Sequence, residues 1–106
     1  MYARVVEMTL KNGKINEART IMNRDVAPAL RTQTGFVDGI GLVSDSEPDT
    51  LLSITFWHTK AEADRYNNTH FPKLIGMLEP LITKYSVKTF NVENSTFHKI
   101  AAGKAA

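Results

Sequence analysis

Two side chains in the second half of the chain have the chemistry to hold or convert an aromatic molecule. Trp57 ends an apolar run, and its indole ring can form one wall of a cleft and stack on a planar ligand while its N–H donates a hydrogen bond. His70 can serve as a general base near neutral pH, as in removing a proton from a phenol. The alternatives are that Trp57 is a packing anchor and that His70 hydrogen-bonds locally at a helix end.

Charged and phenolic side chains add further candidates for a binding site. Arg4 and Glu7 fall on opposite faces of a predicted strand, so one of them must be paired or must line a cavity if both faces are covered. Arg4 shares its face with apolar residues and is a candidate to hold an anionic or phenolate group, the alternative being a salt bridge at the sheet edge. Tyr66 is a third candidate for contact with substrate, and its neighbour Arg65 is more simply a solvated charge.

Other kinds of site are not predicted. The chain has no cysteine, and no two histidines stand four residues apart, so a metal centre is not expected. The glycines of Gly39-Ile40-Gly41 lie within a predicted strand and lack the following helix that a dinucleotide fingerprint requires. They leave one strand face bare, which is typical of a close approach by a ring or another strand. We therefore expect no cofactor and no metal.

The chain's size and charge allow one small domain. With 106 residues it has room for a single compact unit, which we place at residues 1–99 with a flexible C-terminal tail at 100–106. The formal net charge is +2 and the basic residues are dispersed, which argues against a nucleic-acid partner and a membrane surface. No apolar run approaches the 18 or so residues of a membrane span. We expect a cytoplasmic protein.

The hydrophobic pattern predicts the elements that must position these side chains. Apolar residues alternate in some segments and recur every three or four residues in others. Pro28 predicts a break in the first helix near residues 25–27, Thr59 with Glu62 forms a capping box, and Pro80 ends the last helix. The predicted elements are a strand at 2–10, a helix at 14–30, strands at 36–43 and 51–58, helices from 60 and from 71 or 72, and a strand at 85–97.

This order is β-α-β-β-α-β, the ferredoxin-like α+β arrangement, in which one antiparallel sheet carries both helices on one face. The other face stays open in a monomer. The strand at 51–58 is apolar on both faces, which favours burial on both sides. A second copy laid on the open face would bury it, so we predict a homodimer.

Three short segments resemble the antibiotic biosynthesis monooxygenase domain family of dimeric α/β barrels. They are Thr34-Gly35-Phe36 at the start of the second strand, the run from Thr55 to Ala63 that contains Trp57, and Thr69-His70-Phe71 on the following helix. The resemblance extends over nearly the whole chain and rests on the order and spacing of the segments. It implies a homodimer whose sheets form a barrel, with a ligand cleft between sheet and helices in each subunit.

The resemblance leaves several activities open. Members of the family include oxygenases of polycyclic phenols that need neither metal nor cofactor, and enzymes that degrade haem. The haem-degrading branch has an asparagine on the first strand and a histidine ligand on the helix, whereas this chain has Val6 and Ile75 at those positions. Haem degradation is therefore disfavoured. The tyrosine and arginine of the phenol-oxidising branch have no matching positions here.

We therefore predict a cofactor-independent monooxygenase that acts on a planar aromatic or phenolic small molecule. Trp57 and His70 are the candidate catalytic residues, and Trp57, Arg4 and Tyr66 the candidate substrate-binding residues. The alternative hypothesis is a dimer of the same fold that binds a small molecule or serves a stress response without catalysis.

Overall fold

The structure is a computed structural model, and it describes residues 1–97. The expected position of the domain boundary at residue 99, and of the tail at 100–106, lies outside these residues. The strands are β1 (Tyr2–Leu10), β2 (Phe36–Val43), β3 (Thr50–Trp57) and β4 (Ile82–Asn91). The α-helices are α1 (Ile15–Ile21), α2 (Ala27–Arg31), α3 (Lys60–Thr69) and α4 (Phe71–Leu78), with a π-helical turn at Met22–Val26 and a 3₁₀ turn at Glu79–Leu81.

The four strands form one antiparallel sheet in the order β2-β3-β1-β4. β1 is central, and its residue Arg4 lies opposite Thr55 of β3 and Thr89 of β4. The order of elements and the sheet topology confirm the predicted ferredoxin-like α+β fold. Strand alternation places Arg4 on the face that the helices cover and Glu7 on the open face, where it is exposed.

The first helical region changes its hydrogen bonding where the break was predicted. Pro28 has no N–H to donate within the helix, and the turn before it, Met22–Val26, is π-helical. This turn is inserted between α1 and α2 and directs side chains of Met22 and Val26 over the sheet.

The start of α3 is capped as predicted. The backbone N–H of Glu62 donates to Thr59 Oγ1 at 3.2 Å, and the Thr59 hydroxyl donates to Glu62 Oε1 at 3.1 Å. Gly35, just before β2, has a φ of +85°, and a Cβ atom there would collide with the Glu62 side chain. Only glycine fits this turn, so the loop before β2 packs closely on the α3 cap.

The last strand differs from the prediction, whereas the last helix ends just before Pro80, as predicted. β4 runs from Ile82 to Asn91 instead of 85–97, and α4 ends at Leu78 before the 3₁₀ turn that contains Pro80. Ile82 is already paired with Leu10 across an irregularity in β1. Asn91 pairs with Tyr2, the first residue of β1, so the ladder ends where its partner strand begins.

The two faces of the sheet are unlike. The helices and one face enclose the hydrophobic core, in which Met8, Trp57 and Leu78 are among the most buried residues. The open face carries apolar side chains that remain exposed, notably Leu42 and Phe90. Among residues 1–97, no helix is long and apolar enough to cross a membrane.

Candidate functional site

A small cavity lies in the core between the sheet and the helices. Its volume is about 30 Å³, and nearly all its lining side chains are buried. We call it the inner cavity. It is lined by Arg4, Val6, Met8, Met22, Val26, Leu30, Ser53, Thr55, Tyr66, Phe71, Leu74, Ile75 and Leu78.

A larger groove of about 280 Å³ adjoins the inner cavity between β2 and the first helical region. We call it the outer groove. Gly39 and Gly41 form part of its floor, and a Cβ atom at Gly41 would have no atom within 4 Å. Its further lining residues are Asn23, Ala27, Arg31, Phe36, Asp38 and Ile40, and it shares Met22, Val26, Leu30, Ser53 and Thr55 with the inner cavity.

Arg4 places a positive charge in the wall of the inner cavity. The side chain is 3% exposed, and its Nη2 donates to Asn67 Oδ1 at 2.8 Å. The guanidinium carbon also lies 4.5 Å from the ring centroid of Phe71 and 5.2 Å from that of Tyr66. Burial lowers the pKa of Arg4 from its usual value, while Tyr66 and Asp64 act in the opposite direction. An arginine remains charged under these conditions.

No carboxylate within residues 1–97 forms an ion pair with Arg4. Asp64 is occupied by Lys60, whose Nζ lies 2.8 Å from the carboxylate oxygen. In the same part of the chain no buried side-chain nitrogen or oxygen lacks a hydrogen-bond partner, and the only Arg4 nitrogen with such a partner is Nη2. The N–H groups on Nε and Nη1 therefore keep some exposed surface, and Arg4 is one of the side chains that line the inner cavity. A buried cation with free donors is suited to an anionic ligand.

Tyr66 lines the inner cavity beside Arg4. Burial raises the pKa of Tyr66 to about 12, although the charge of Arg4 acts to lower it. Its phenol is consequently neutral at physiological pH and acts as a hydrogen-bond donor or acceptor, not as a base. The strand and helix pattern did not show whether Tyr66 faces the cleft, and the structure places it there together with Arg4.

Trp57 lies behind this cavity and is fully buried, with 0% of its surface exposed. Its ring stacks on Tyr66 at a centroid distance of 4.9 Å and meets Phe36 edge-on at 5.5 Å. The indole N–H donates to Thr55 Oγ1 at 2.9 Å. Trp57 lines neither the inner cavity nor the outer groove. Its contact with either space is indirect, through Tyr66 and Thr55.

His70 lies at the junction of α3 and α4, where it is exposed. Its Nδ1 is 2.8 Å from Thr69 Oγ1, and its backbone carbonyl accepts from Lys73 and Leu74. It lines neither the inner cavity nor the outer groove. The role of His70 as a general base stays a prediction, and the observed geometry is that of the local alternative.

The structure adds polar residues that sequence reasoning did not single out, and three of them lie close to Arg4 or line both spaces. Ser53 and Thr55 line both spaces, and Asn67 orients Arg4. Alternation offered a signal for Thr55, because it stands two residues before Trp57 and hence on the same strand face. The contact between Asn67 and Arg4 joins positions 63 residues apart and has no local signal.

The cavity lining offers few metal ligands. No group of three or more His, Cys, Asp or Glu side chains converges anywhere in residues 1–97. Ile75, at the position where the haem-degrading branch carries its histidine, lines the inner cavity with an aliphatic side chain that cannot coordinate iron.

The fold is shared with several solved proteins. SnoaB, a cofactor-independent oxygenase from Streptomyces nogalater, is 19% identical with a TM-score of 0.77, over 90% of this chain and 95% of that one. A structure described as an antibiotic biosynthesis monooxygenase is 16% identical with a TM-score of 0.73, over 87% and 98%. A protein from Mycobacterium tuberculosis is 12% identical with a TM-score of 0.73, over 91% and 98%. At these identities the similarity shows a common fold.

The sequence itself gives the family. No curated protein matches the chain. A family model for antibiotic biosynthesis monooxygenases matches residues 1–72, well over half of the chain. This range contains β1 to β3, α3 and most of the polar lining of both cavities. The chain belongs to the antibiotic biosynthesis monooxygenase family.

Proposed function

We propose that the protein is a cofactor-independent monooxygenase that oxidises a small planar phenol bound in the outer groove, with the phenol oxygen directed toward Arg4. The observation that carries the proposal is the buried Arg4 guanidinium, which has accessible N–H donors and no carboxylate partner among the described residues. A buried cation of this kind stabilises an anion that forms beside it. A phenolate is such an anion.

The outer groove fits the ring of such a substrate. Its volume of about 280 Å³ is near the lower end of the roughly 300–1,000 Å³ typical of ligand pockets. Gly39 and Gly41 supply a floor without side chains, and Met22, Val26 and Leu30 supply an apolar wall opposite. A space with bare backbone on one side and aliphatic side chains on the other suits a planar aromatic ligand.

The chemistry then follows from the phenolate. The substrate loses its proton to water or to the Asp38 carboxylate in the groove, because the neutral Tyr66 cannot take it. The anion gives one electron to dioxygen, and the resulting substrate radical and superoxide combine to form a carbon–oxygen bond. The peroxide is protonated and breaks at its O–O bond. Loss of water leaves a carbonyl, so one oxygen atom enters the product and the other enters water.

One observation favours the second candidate, a dimer that binds a small molecule without converting it. No histidine lines the inner cavity or the outer groove, so the expected imidazole base is missing from both. Oxygen consumption separates the two functions. An oxygenase consumes dioxygen with at least one member of a panel of anthrones and quinols, whereas a binding protein binds them with no uptake.

Filling the outer groove is expected to block the aromatic ligand without harming the fold. Gly41→Leu introduces a side chain whose Cβ atom would have nothing within 4 Å, so we expect the strand to accept it and the groove to lose space. We expect ligand affinity and oxygen uptake to fall by about tenfold or more, which corresponds to roughly 1.4 kcal/mol. Fluorescence titration and an oxygen electrode measure the two quantities.

The matched control is Gly76→Leu, the same change on the exposed surface of α4, away from both cavities. It should leave affinity and uptake unchanged. Equal affinity in Gly41→Leu and the wild type would show that the ligand binds elsewhere and would refute the groove as the aromatic site.

We also propose that a second copy of the chain covers the open face of the sheet. Exposed apolar side chains on that face support the proposal: Leu42 of β2, at 45% exposure, and Phe90 of β4, at 52%, share it with the half-buried Ile54 and Phe56 of β3. Exposed apolar side chains gathered on one sheet face are typical of an interface in a small protein. The opposite face is already covered by the helices, so two open faces can pack together.

A charge on the open face is expected to separate the dimer. Phe90→Glu would bury a carboxylate with no partner, and the mutant should run as a monomer in native mass spectrometry where the wild type runs as a dimer. Met77→Glu, an exposed apolar residue on α4, is the control and should remain dimeric. A wild-type monomer at micromolar concentration would contradict the proposal.

A further inference from the structure

The inner cavity and the outer groove differ in size in a way that suggests two ligands. The outer groove has room for an aromatic ring, whereas the inner cavity, at about 30 Å³, does not. We propose that the inner cavity binds dioxygen next to the substrate ring. This inference rests on the proposed function and assigns the second reactant of that reaction to a site of its own.

The size of the inner cavity fits a diatomic molecule. A single water needs about 10–15 Å³, so the inner cavity at about 30 Å³ has room for two or three waters or for one diatomic molecule. Its lining is dominated by aliphatic and thioether side chains, among them Val6, Met8, Ile75 and Leu78. An apolar lining gives water few hydrogen-bond partners over most of the cavity, while dioxygen needs none.

The polar groups are gathered on one side of the inner cavity. Arg4 of β1 lies directly opposite Thr55 of β3, and Tyr66 stands beside Arg4. When the substrate anion gives one electron to dioxygen, the negative charge passes to the oxygen molecule. Arg4 has free N–H groups on both Nε and Nη1, so one can hold the phenol oxygen while another faces the newly formed superoxide. Stabilisation of developing charge by a fixed cation favours that step.

The two spaces communicate through a shared wall. Ser53 and Thr55 on the sheet side, and Met22, Val26 and Leu30 on the helix side, line both of them. A ring in the outer groove therefore lies against the same side chains as a molecule in the inner cavity. This contiguity brings the substrate carbon and dioxygen close enough to combine once the electron has moved.

Dioxygen itself is the probe for this site, because it is paramagnetic and accelerates the relaxation of nearby nuclei. Methyl-labelled wild-type protein under dioxygen pressure should show its strongest relaxation enhancement at methyl groups of the inner cavity, such as those of Val6 and Ile75. The measurement needs no turnover and no variant. Enhancement confined to surface methyl groups would overturn the inference.

A variant that fills the inner cavity provides the second test. Val6 lines the inner cavity and not the outer groove, so Val6→Ile should abolish the local enhancement and raise the KM for dioxygen several-fold with the KM for the phenol unchanged. Val43→Ile, the same change at an exposed position of β2 that lines neither space, is the control. An unchanged KM for dioxygen in Val6→Ile would contradict the inference. Relaxation enhancement in the cavity without oxygen uptake would support the site and contradict the proposed function alone.

Discussion

Replacing Arg4 with methionine is expected to remove most of the affinity for a phenolate while making the protein more stable. The guanidinium is buried, has an amide as its hydrogen-bond partner and has no carboxylate beside it among the described residues. Its burial therefore opposes folding, because a desolvated charge without a counter-ion is costly. A residue that destabilises the free protein and would stabilise a bound anion is typical of a functional site.

The sizes of the two effects can be estimated separately. A hydrogen bond to a charged group contributes about 1.5–3 kcal/mol, so Arg4→Met should weaken phenolate binding by roughly tenfold to a hundredfold. Loss of the Asn67 bond and of the two ring contacts offsets part of the gain from removing the charge. We expect a net stabilisation of about 1 kcal/mol, or roughly 4–8 °C in Tm for a domain of this size.

Calorimetric titration with a phenol across a pH series measures the first effect. Arg4 favours the ionised phenol, so it lowers the pKa of the bound ligand, and the rise of binding and turnover with pH should move to higher pH in Arg4→Met. Arg65→Met, at an exposed position on α3, is the control and should change neither affinity nor pH profile. Unchanged phenolate affinity in Arg4→Met, or a large loss of stability, would show that Arg4 is a structural residue.

The fold could be predicted because local patterns and sheet topology agree. Alternation located β1 to β3 closely, the Thr59 and Glu62 pair located the start of α3, and Pro28 located the break in the first helical region. The limits of β4 could not be read in the same way. They depend on the limits of its partner strand β1, whose first and last residues, Tyr2 and Leu10, pair with the ends of β4. Such pairing is a non-local property.

The site was predictable only in part. Because Arg4 and Glu7 fall on opposite strand faces, the sequence predicted that one of them is paired or lines a cavity, and the pattern alone did not say which. Tyr66 depends on the rotation of α3 over the sheet, a tertiary property, and the contact from Asn67 to Arg4 depends on the same packing. His70 belongs to a segment that resembles a family motif, but a motif does not show whether a side chain is buried or exposed. In the structure His70 lies at the surface. The two glycines on one face of β2 located the groove better than the motif did, because Gly39 and Gly41 form part of the floor of the outer groove.

Replacing Trp57 with alanine is expected to produce the largest loss of stability of any single substitution discussed for this protein. The side chain is fully buried, packs against Phe36 and Tyr66, and satisfies the hydroxyl of Thr55. Truncation of a buried tryptophan costs about 3–5 kcal/mol, out of roughly 5–15 kcal/mol for a whole domain. Urea unfolding followed by circular dichroism measures it, at one protein concentration because assembly would shift the midpoint.

Trp57→Phe separates the packing role of this residue from a role toward the ligand. Phenylalanine keeps an aromatic ring between Phe36 and Tyr66 but removes the N–H that binds Thr55 Oγ1, so we expect a loss of about 1–2 kcal/mol and a folded protein. Because Trp57 lines neither cavity, ligand affinity in the folded variant should change less than it does in Arg4→Met. The control is Tyr85→Phe, which removes a hydroxyl from an exposed ring that contacts Phe71. It tests the loss of a polar group that is not buried. If Trp57→Phe kept its stability and lost its ligand, the indole would have to reach the ligand directly, and the site would have to open further than the structure shows.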